Sequence, residues 1–293
     1  MTMKRLLSII IVVLVMTSFT GCYGPKGENK DIQTKKDGEV VVATSVAVTE
    51  ILDKLGVSLT GVPTTNYTLP ESTKDSVKVG NPMNPDLEKI KSLNPTVVVS
   101  VDTLGDDFKN TFIENNIPSE FVTLTSLDGL KESIKKLGDK FNKKEEADNL
   151  LNEISDKESE IAKKNYGKEK EKVLIIFGAP GSMMIGTSKC YVGNLVDIVG
   201  GKNIVENNST SFVQLNIEEI LKSNPDKILV MTHGDPEEAK NMVSKELKNN
   251  PMWQKLSAVK EDKVHYLDSK KFGMSANLKV IEALGELDSI LHN

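Results

Sequence analysis

Arginine is nearly absent from this chain, since Arg5 is the single arginine among 37 lysine and arginine residues. The planar guanidinium group that normally binds phosphate or carboxylate in a bidentate manner is therefore unavailable beyond residue 5. The chain is also acidic, with a formal net charge of −5 at pH 7. An acidic chain without arginine is a poor candidate for nucleic-acid binding, and we predict no nucleic-acid partner.

Long hydrophobic runs are lacking too. The longest, from Leu6 to Met16, is too short to cross a bilayer, and it follows the basic pair Lys4 and Arg5. A basic start followed by a short apolar run is typical of an export signal. We therefore predict that residues 1–21 are a signal peptide and not part of the fold.

Cysteine occurs at positions 22 and 190 only. Cys22 follows Phe19-Thr20-Gly21, a segment that resembles the bacterial lipobox, and the resemblance implies cleavage before Cys22 and its lipidation. The alternative is an incidental cysteine after a plain secretory signal. With Cys22 lipidated no disulfide can form within the chain, and Cys190 is interpreted as a small buried or half-buried residue. Residues 22–38 are polar and rich in Lys, Gly and Asn, which predicts a flexible lipidated tether.

One long helix is predicted over residues 142–167, where apolar residues follow helical spacing with charged residues between them. Asn142 suits an N-cap within a capping box, and Gly167 suits the position that ends a helix. We predict that this helix connects an N-terminal α/β lobe, residues 39–141, to a C-terminal α/β lobe, residues 168–293. The alternative is an ordinary amphipathic surface helix.

Segments on the two sides of this helix repeat one another. Residues 87–100 and 217–230 share Glu, Ile, Asn and Pro at matched places, and each predicts a short helix, an Asn-Pro turn and a buried strand. The predicted fold class is α/β, with two Rossmann-like lobes joined by a single long α-helix. Two such lobes on a stiff connector predict a cleft between them.

Two residues near strand and helix ends are candidate ligands. Met83 lies in a proline-flanked stretch, which predicts a rigid loop ahead of a helix. His233 follows the predicted strand 227–231, and ligands bind at the carboxyl ends of strands in open α/β sheets. Each has a plainer alternative, because most single methionines and histidines are structural. His265, inside a predicted strand, is interpreted as structural, and His292, near the C-terminus, as incidental.

The repeat places these two candidates in opposite lobes, since Met83 precedes the first copy and His233 follows the second. A thioether and an imidazole on facing walls form an axial pair for haem iron. A zinc or manganese site would need several His and carboxylate ligands, and no nucleophile with a paired base is identifiable. We predict a haem-binding protein that is not an enzyme.

Six landmarks of the chain together resemble a known family. They are Thr44-Ser45-Val46-Ala47-Val48-Thr49, Gly80-Asn81-Pro82-Met83-Asn84-Pro85, Gly178-Ala179-Pro180-Gly181-Ser182, Tyr191-Val192-Gly193-Asn194-Leu195-Val196, His233-Gly234-Asp235-Pro236-Glu237-Glu238 and Phe272-Gly273-Met274-Ser275-Ala276-Asn277. In order and spacing they are similar to the haem-receptor lipoproteins of iron-regulated surface determinant systems in Gram-positive bacteria. The resemblance covers nearly all of residues 39–290.

This resemblance implies a helical-backbone, class III periplasmic-binding-protein-like fold with limited hinge motion. It implies that Met83 and His233 are the axial ligands of one haem b per chain. The other haem contacts that it implies are Val46, Ala47, Thr65 and Asn66. Backbone N–H groups near residues 46 and 47 and hydroxyls such as that of Thr65 are expected to hold the propionates. At Asn66 the family can carry an aromatic residue instead.

The resemblance also implies partners and a location. It describes a monomer, lipid-anchored on the extracellular face of the membrane, which receives haem from an upstream cell-wall carrier and delivers it to an ABC permease with its ATPase. Glu88 and Glu218 occupy equivalent places in the two repeat copies, and we hypothesise that they dock onto the permease. The alternative is that each stabilises the first turn of its helix.

Two other functions stay open at this point. The same fold could bind an iron-siderophore or a corrinoid, with Met83 merely lining the wall of the cleft. A protein of another class, a lipid-anchored hydrolase or adhesion module, is the third reading. Uptake of haemin, seen as a Soret band, separates haem binding from both alternatives.

Overall fold

A computed structural model describes residues 38–206, 209–214 and 216–292. The described residues from Glu39 onward belong to one compact unit. The predicted signal peptide, Cys22 and most of the predicted tether fall outside the described residues. Within the described ranges, none of the helices is both long and apolar enough to cross a membrane.

The N-terminal lobe is a parallel sheet with helices around it. Its elements are β1 (Val41–Ala43), α1 (Val46–Lys54), β2 (Gly61–Val62), β3 (Val77–Lys78), β4 (Gly80–Asn81), β5 (Asn84–Pro85), α2 (Leu87–Ser92), β6 (Val97–Val101), α3 (Asp106–Glu114), β7 (Ser119–Val122) and α4 (Leu127–Lys140). The strand order is β3-β2-β1-β6-β7, and every neighbouring pair is parallel. All five carboxyl ends therefore lie on one edge of the sheet. Strands β4 and β5 form a separate hairpin.

The C-terminal lobe follows a long helix, α5 (Lys144–Asn165), and contains a mixed sheet. Its elements are β8 (Lys172–Ala179), β9 (Ser182–Gly186), α6 (Tyr191–Ile198), β10 (Lys202–Asn203), β11 (Phe212–Val213), α7 (Ile217–Ser223), β12 (Lys227–Thr232), α8 (Pro236–Asn249), α9 (Ser257–Lys260), β13 (Val264–Tyr266) and α10 (Val280–His292). The order is β11-β9-β8-β12-β13, with β10 also beside β8. Strands β8, β12 and β13 are parallel, whereas β9 folds back antiparallel to β8.

The predicted fold class is confirmed, and the internal repeat explains it. The two copies become α2 with β6 and α7 with β12, and each strand takes the fourth place in its sheet. Asp86 and Asn216 are the N-caps of the two helices, and the side chain of each accepts the N–H of the third helical residue, Lys89 or Glu219. Asn94 and Asn224 both have left-handed backbone, at φ 49° and 43°, a conformation that asparagine tolerates between a helix and the following strand.

The predicted start of the connecting helix is wrong in detail. Asn142 has φ 53° and ends α4 rather than capping α5. The N–H of Lys143 donates to Gly138 O at 2.7 Å and that of Asn142 to Asp139 O at 3.4 Å, which is a left-handed helix termination that needs a residue tolerant of positive φ. Helix α5 therefore begins at Lys144, with Lys143 at the N-cap position. Gly167, at φ 78°, follows its end as predicted.

The two lobes share one apolar core. Side chains of α1, α4, α5, α6 and α10 belong to a single cluster of buried residues, which includes Ile51, Ile134, Ile154, Leu195 and Leu284. Helix α5 packs on α4 on one side and on α10 on the other. A large shared apolar interface resists separation of lobes, so the clusters of functional residues sit on a stiff frame.

Candidate functional site

Met83 lies on an exposed turn of the N-terminal lobe. The proline-flanked stretch, predicted as a loop, forms the hairpin β4–β5 with Pro82 and Met83 as its two turn residues. The N–H of Met83 donates to Asn81 Oδ1 at 2.9 Å, which fixes the turn. The side chain is 60% exposed, so Met83 is not a core residue and its thioether is free to meet a ligand.

Backbone hydrogen bonds hold this turn against the loop that contains Thr65. The N–H of Thr64 donates to Gly80 O at 2.8 Å. Gly80 has φ 97°, and a Cβ there would lie 2.7 Å from the backbone N of Asp86, so glycine is required for the close approach. Thr65 is half-buried and its hydroxyl accepts the N–H of Tyr67 at 3.1 Å, while Asn66 is exposed.

Val46 and Ala47 are the first two residues of α1, directly after β1. Ser45 caps the helix by accepting the N–H of Val48 at 3.3 Å. The N–H groups of residues 46 and 47 precede the first acceptors of the helix, so they are available to an anionic group. Because β1, β2 and β3 are parallel, Val46, Thr65 and the Met83 hairpin all follow strand ends at the same edge of the sheet.

His233 occupies the corresponding edge of the C-terminal lobe. It follows β12, and its N–H donates to Gly178 O of β8 at 2.9 Å. Its ring stacks on Phe177 with the centroids 6.2 Å apart. Partial burial lowers the pKa of His233 below its usual value. The imidazole is therefore neutral near pH 7, which is the form that binds a metal.

The other two histidines lie elsewhere. His265 lies within β13, and its Nε2 is buried without a hydrogen-bond partner in the described part of the chain. His292, which was predicted to be incidental to the site, belongs to α10, and its Nε2 lies 2.7 Å from Val199 O. It helps to join the end of α10 to the end of α6.

The carboxyl edges of the two sheets meet. Ala276, in the loop that follows β13, donates its N–H to Leu124 O, just after β7, at 2.7 Å. Asn194 of α6 accepts the N–H of Leu127 in α4 through its side-chain oxygen at 2.8 Å. Ala276 and Asn194 both fall within the landmark segments, but no local sequence pattern indicates that either bonds to the other lobe. The sequence analysis therefore assigned neither of them a role.

Opposite charges on the two lobes also influence one another. Glu50 lies one turn into α1, and burial raises the pKa of its carboxyl group, whereas the charge of Lys279 in the other lobe acts in the opposite direction. The lysine stands just ahead of α10. The boundary between the lobes is thus apolar in its core and polar near the edge that carries the candidate ligands.

Glu88 and Glu218 are exposed in the first turns of α2 and α7. Glu88 pairs with Lys91 at 2.9 Å, and its side chain is 85% exposed. A surface pair of this kind contributes little to stability. The equivalent placement of the two carboxylates on the two lobes, expected from the repeat, is present.

Cys190 is buried, as predicted, and it also caps a helix. Its Sγ accepts the N–H of Gly193 at 3.3 Å at the start of α6. Burial raises the pKa of this thiol to about 11. A neutral, buried thiol is inert, so Cys190 has a structural role.

The described residues also contain cavities away from these edges. One of about 480 Å³ lies between β9 and α7, and another of about 580 Å³ lies between the β8–β9 turn and α8. Neither is lined by a predicted site residue. Among the described residues, no three His, Cys, Asp or Glu side chains are grouped so that they could hold a metal ion.

Comparison with known proteins identifies relatives over the whole fold. Residues 41–271 match the family model described as periplasmic binding protein. The chain is 37% identical over 291 residues to the high-affinity heme uptake system protein IsdE of Staphylococcus aureus (strain Newman), covering 99% of this chain and 97% of the relative. The crystal structure of S. aureus IsdE complexed with heme superposes with a TM-score of 0.84 at 38% identity, over 88% of this chain and all of that one. An ABC transporter substrate-binding protein from Listeria monocytogenes EGD-e superposes with a TM-score of 0.82 at 38% identity, over 87% and 99% of the two chains.

Proposed function

The chain belongs to the periplasmic binding protein family, and we propose that within it the protein is a haem receptor for an ABC importer. It captures one haem b between its lobes and passes it to a permease. It is a carrier and not an enzyme. The observation that carries the proposal is the full-length likeness to a relative whose crystal structure contains heme, together with Met83 and His233 at the carboxyl edges of opposite lobes.

Met83 and His233 are the proposed axial ligands of the haem iron. A histidine and a methionine are a known axial pair for haem iron. The lowered pKa of His233 supports this role, because a neutral imidazole keeps its lone pair for the metal. The exposure of Met83 supports it as well, since a thioether in a protein core could not reach iron in a cleft.

The haem propionates are proposed to lie against the start of α1 and the loop beside it. The N–H groups of Val46 and Ala47 are oriented along a helix axis whose N-terminal end favours negative charge. Thr65 supplies a hydroxyl whose oxygen already accepts the Tyr67 N–H, so its proton can be donated to a carboxylate. Asn66 supplies a nearby amide. This arrangement holds carboxylates without arginine, which the chain lacks at these positions.

A spectral titration with haemin tests the proposal. The full chain is expected to take up one equivalent and to give a Soret band with the visible bands of low-spin, six-coordinate iron. A corrinoid and an iron-siderophore are titrated in parallel as competitors. Failure to take up haemin, or preferential binding of one of the competitors, would overturn the assignment.

The permease is proposed to dock on both lobes at once, through Glu88 and Glu218. Two exposed carboxylates at equivalent positions of a repeated structure fit a symmetric, basic partner surface. The double variant Glu88→Lys with Glu218→Lys is expected to reduce haem uptake by cells several-fold while haemin affinity stays unchanged. Glu145→Lys with Glu153→Lys, both exposed on α5, reverses the same net charge elsewhere and is the matched control. Unchanged uptake in the docking variant would contradict this role.

The location follows from the lipobox-like segment. We infer that Cys22 is lipidated and holds the receptor, as a monomer, at the extracellular face of the cell membrane, where an upstream cell-wall carrier supplies haem. Cys22 lies outside the described residues, so this inference depends on the sequence and on the family. Metabolic labelling with a palmitate analogue is expected to mark the wild type and not Cys22→Ser.

A further inference from the structure

The loop from Leu124 to Leu127, which joins β7 to α4 in the N-terminal lobe, is held at both ends by the C-terminal lobe. At one end Leu124 O accepts the N–H of Ala276 at 2.7 Å. At the other end the N–H of Leu127 donates to Asn194 Oδ1 at 2.8 Å. Two hydrogen bonds from different elements of one lobe thus meet a four-residue segment of the other.

The side chain of Asn194 supplies a hydrogen-bond acceptor for the Leu127 N–H that α4 itself does not contain. The first N–H groups of a helix have no acceptor within the helix. The N-cap Ser126 accepts the N–H of Gly129 at 3.1 Å, so its hydroxyl does not accept the N–H of Leu127. Leu127 is fully buried. An unpaired N–H there would lose its hydrogen bond to water without replacement, so the side chain of Asn194 is the partner that folding of this boundary requires.

The two hydrogen bonds between the lobes constrain their relative position more strictly than the shared apolar core does. Apolar packing is non-directional and tolerates small sliding of one surface over another. Hydrogen bonds weaken steeply when distance or angle changes. The core therefore keeps the lobes together, whereas the two bonds fix their relative position at the edge where the candidate ligands lie.

We propose that Asn194 is a positioning residue that sets the separation of the two lobes and thereby lets Met83 and His233 bind one iron together. This inference rests on the proposed function. Asn194 contacts neither iron nor haem in this scheme. It acts through α4 and the adjoining edge of the N-terminal sheet, and Ala276 supports it through the main chain.

The main test replaces Asn194 in the full chain and follows haem coordination. Asn194→Ala removes the acceptor, and Asn194→Ser retains polarity at a side chain too short to reach Leu127. Both are expected to lose haem about fivefold faster, the factor that one net hydrogen bond represents, and to show a larger fraction of five-coordinate, high-spin iron. Asn194→Asp keeps the acceptor and adds a charge that a helix N-terminus favours, so it is expected to restore the wild-type spectrum.

Ser126→Ala is the matched control. It removes a hydrogen bond from the same turn of the same helix, but one that stays within the N-terminal lobe. It is expected to lower thermal stability and leave the haem spectrum unchanged. If Ser126→Ala altered the spectrum as much as Asn194→Ala did, or if neither Asn194→Ala nor Asn194→Ser altered it, the positioning role would be wrong.

A distance measurement separates this role from haem binding itself. Spin labels on Ile113→Cys in α3 and Lys248→Cys in α8 report on the two lobes, in a full chain that also carries Cys22→Ser. Buried Cys190 is protected from labelling. Without haem, Asn194→Ala is expected to broaden the distance distribution, and Asn194→Asp and Ser126→Ala are not. An unchanged distribution in Asn194→Ala overturns the positioning role. Failure of the wild type to bind haemin overturns the proposed function, and a broadened distribution in Asn194→Ala would then still show that Asn194 sets the separation of the lobes.

Discussion

The two lobes are built on related plans but present their candidate ligands differently. In the N-terminal lobe Met83 stands on a two-residue turn of a small hairpin outside the main sheet, and it is 60% exposed. In the C-terminal lobe His233 directly follows β12, bonded to Gly178 and stacked on Phe177. One candidate ligand is carried by a peripheral hairpin, whereas the other is fixed to the central sheet.

The difference predicts that the two residues contribute unequally to haem affinity. A side chain held by neighbouring strands loses little freedom when it binds iron, whereas an exposed methionine with several rotatable bonds must be ordered. His233 is therefore expected to contribute most of the affinity for haem. Met83 is expected to complete the coordination and to be the ligand that is more easily displaced when haem passes to the permease.

Among the variants of the two candidate ligands, His233→Ala is expected to weaken haemin binding most. Loss of the fixed ligand is expected to weaken haemin binding by more than about 100-fold, since changes in groups that merely support a metal ligand typically cost 10–100-fold. Haemin titration followed at the Soret band measures the change. His265→Ala, in the neighbouring strand β13, is the control and is expected to bind haemin as the wild type does. Equal losses in the two variants would show that His233 has no special role.

Met83→Ala is expected to have a smaller effect, about tenfold on affinity, at the low end of the same scale. Its clearer signature is spectral, because the iron loses its sixth ligand and the low-spin bands decrease. Met83→His sharpens the test: two imidazoles restore low-spin iron but lower the reduction potential, since an axial methionine raises it. A low-spin spectrum in Met83→Ala identical to that of the wild type would exclude Met83 as a ligand.

The same contrast explains how much of the site could be predicted. Local patterns of apolar residues, prolines and glycines indicate the strand ends, the helix starts and the repeat. The fold class and the position of His233 after β12 were therefore predictable. The exposure of Met83 was not, because two prolines are compatible with a loop or with a hairpin turn. The antiparallel pairing of Gly80–Asn81 with Asn84–Pro85 decided between them.

The contacts between the two lobes could not be predicted from the sequence. The bond from Leu127 to Asn194 joins residues 67 positions apart, and that from Ala276 to Leu124 joins residues that no periodicity relates. Asn142 failed as an N-cap for a similar reason. Its side chain suits a cap, but the tight connection between α4 and α5 places its backbone at positive φ. Tertiary geometry overrode the local preference at that position.

Acidification probes the C-terminal ligand with a moderate effect. An ordinary histidine is half protonated at pH 6.5, whereas burial lowers the pKa of His233 below 6.5. The neutral ring therefore persists as the pH falls to 6.5, and haemin affinity is expected to change by less than about twofold between pH 8 and 6.5. Binding is expected to weaken only as the pH falls through the lowered pKa. A midpoint above pH 6.5, measured by haemin titration across this range, would contradict the buried environment of the ring.

Phe177→Leu is expected to give the smallest change, and it tests whether the C-terminal ligand is held by its neighbours. The ring of Phe177 stacks on His233 and also lies 4.8 Å from that of Phe212, centroid to centroid. Leucine loses both aromatic contacts and admits water near the imidazole, so stability should fall by about 1 kcal/mol in urea unfolding. The pKa of His233 should move back towards its usual value, which raises the pH at which haemin binding is lost.

Phe212→Leu removes only the ring pair distant from His233, and it should lower stability to a similar extent without moving that pH. If the two variants shifted the pH midpoint equally, the stacking on Phe177 would not be what keeps His233 neutral, and the fixed ligand would owe its environment to the strand ends alone.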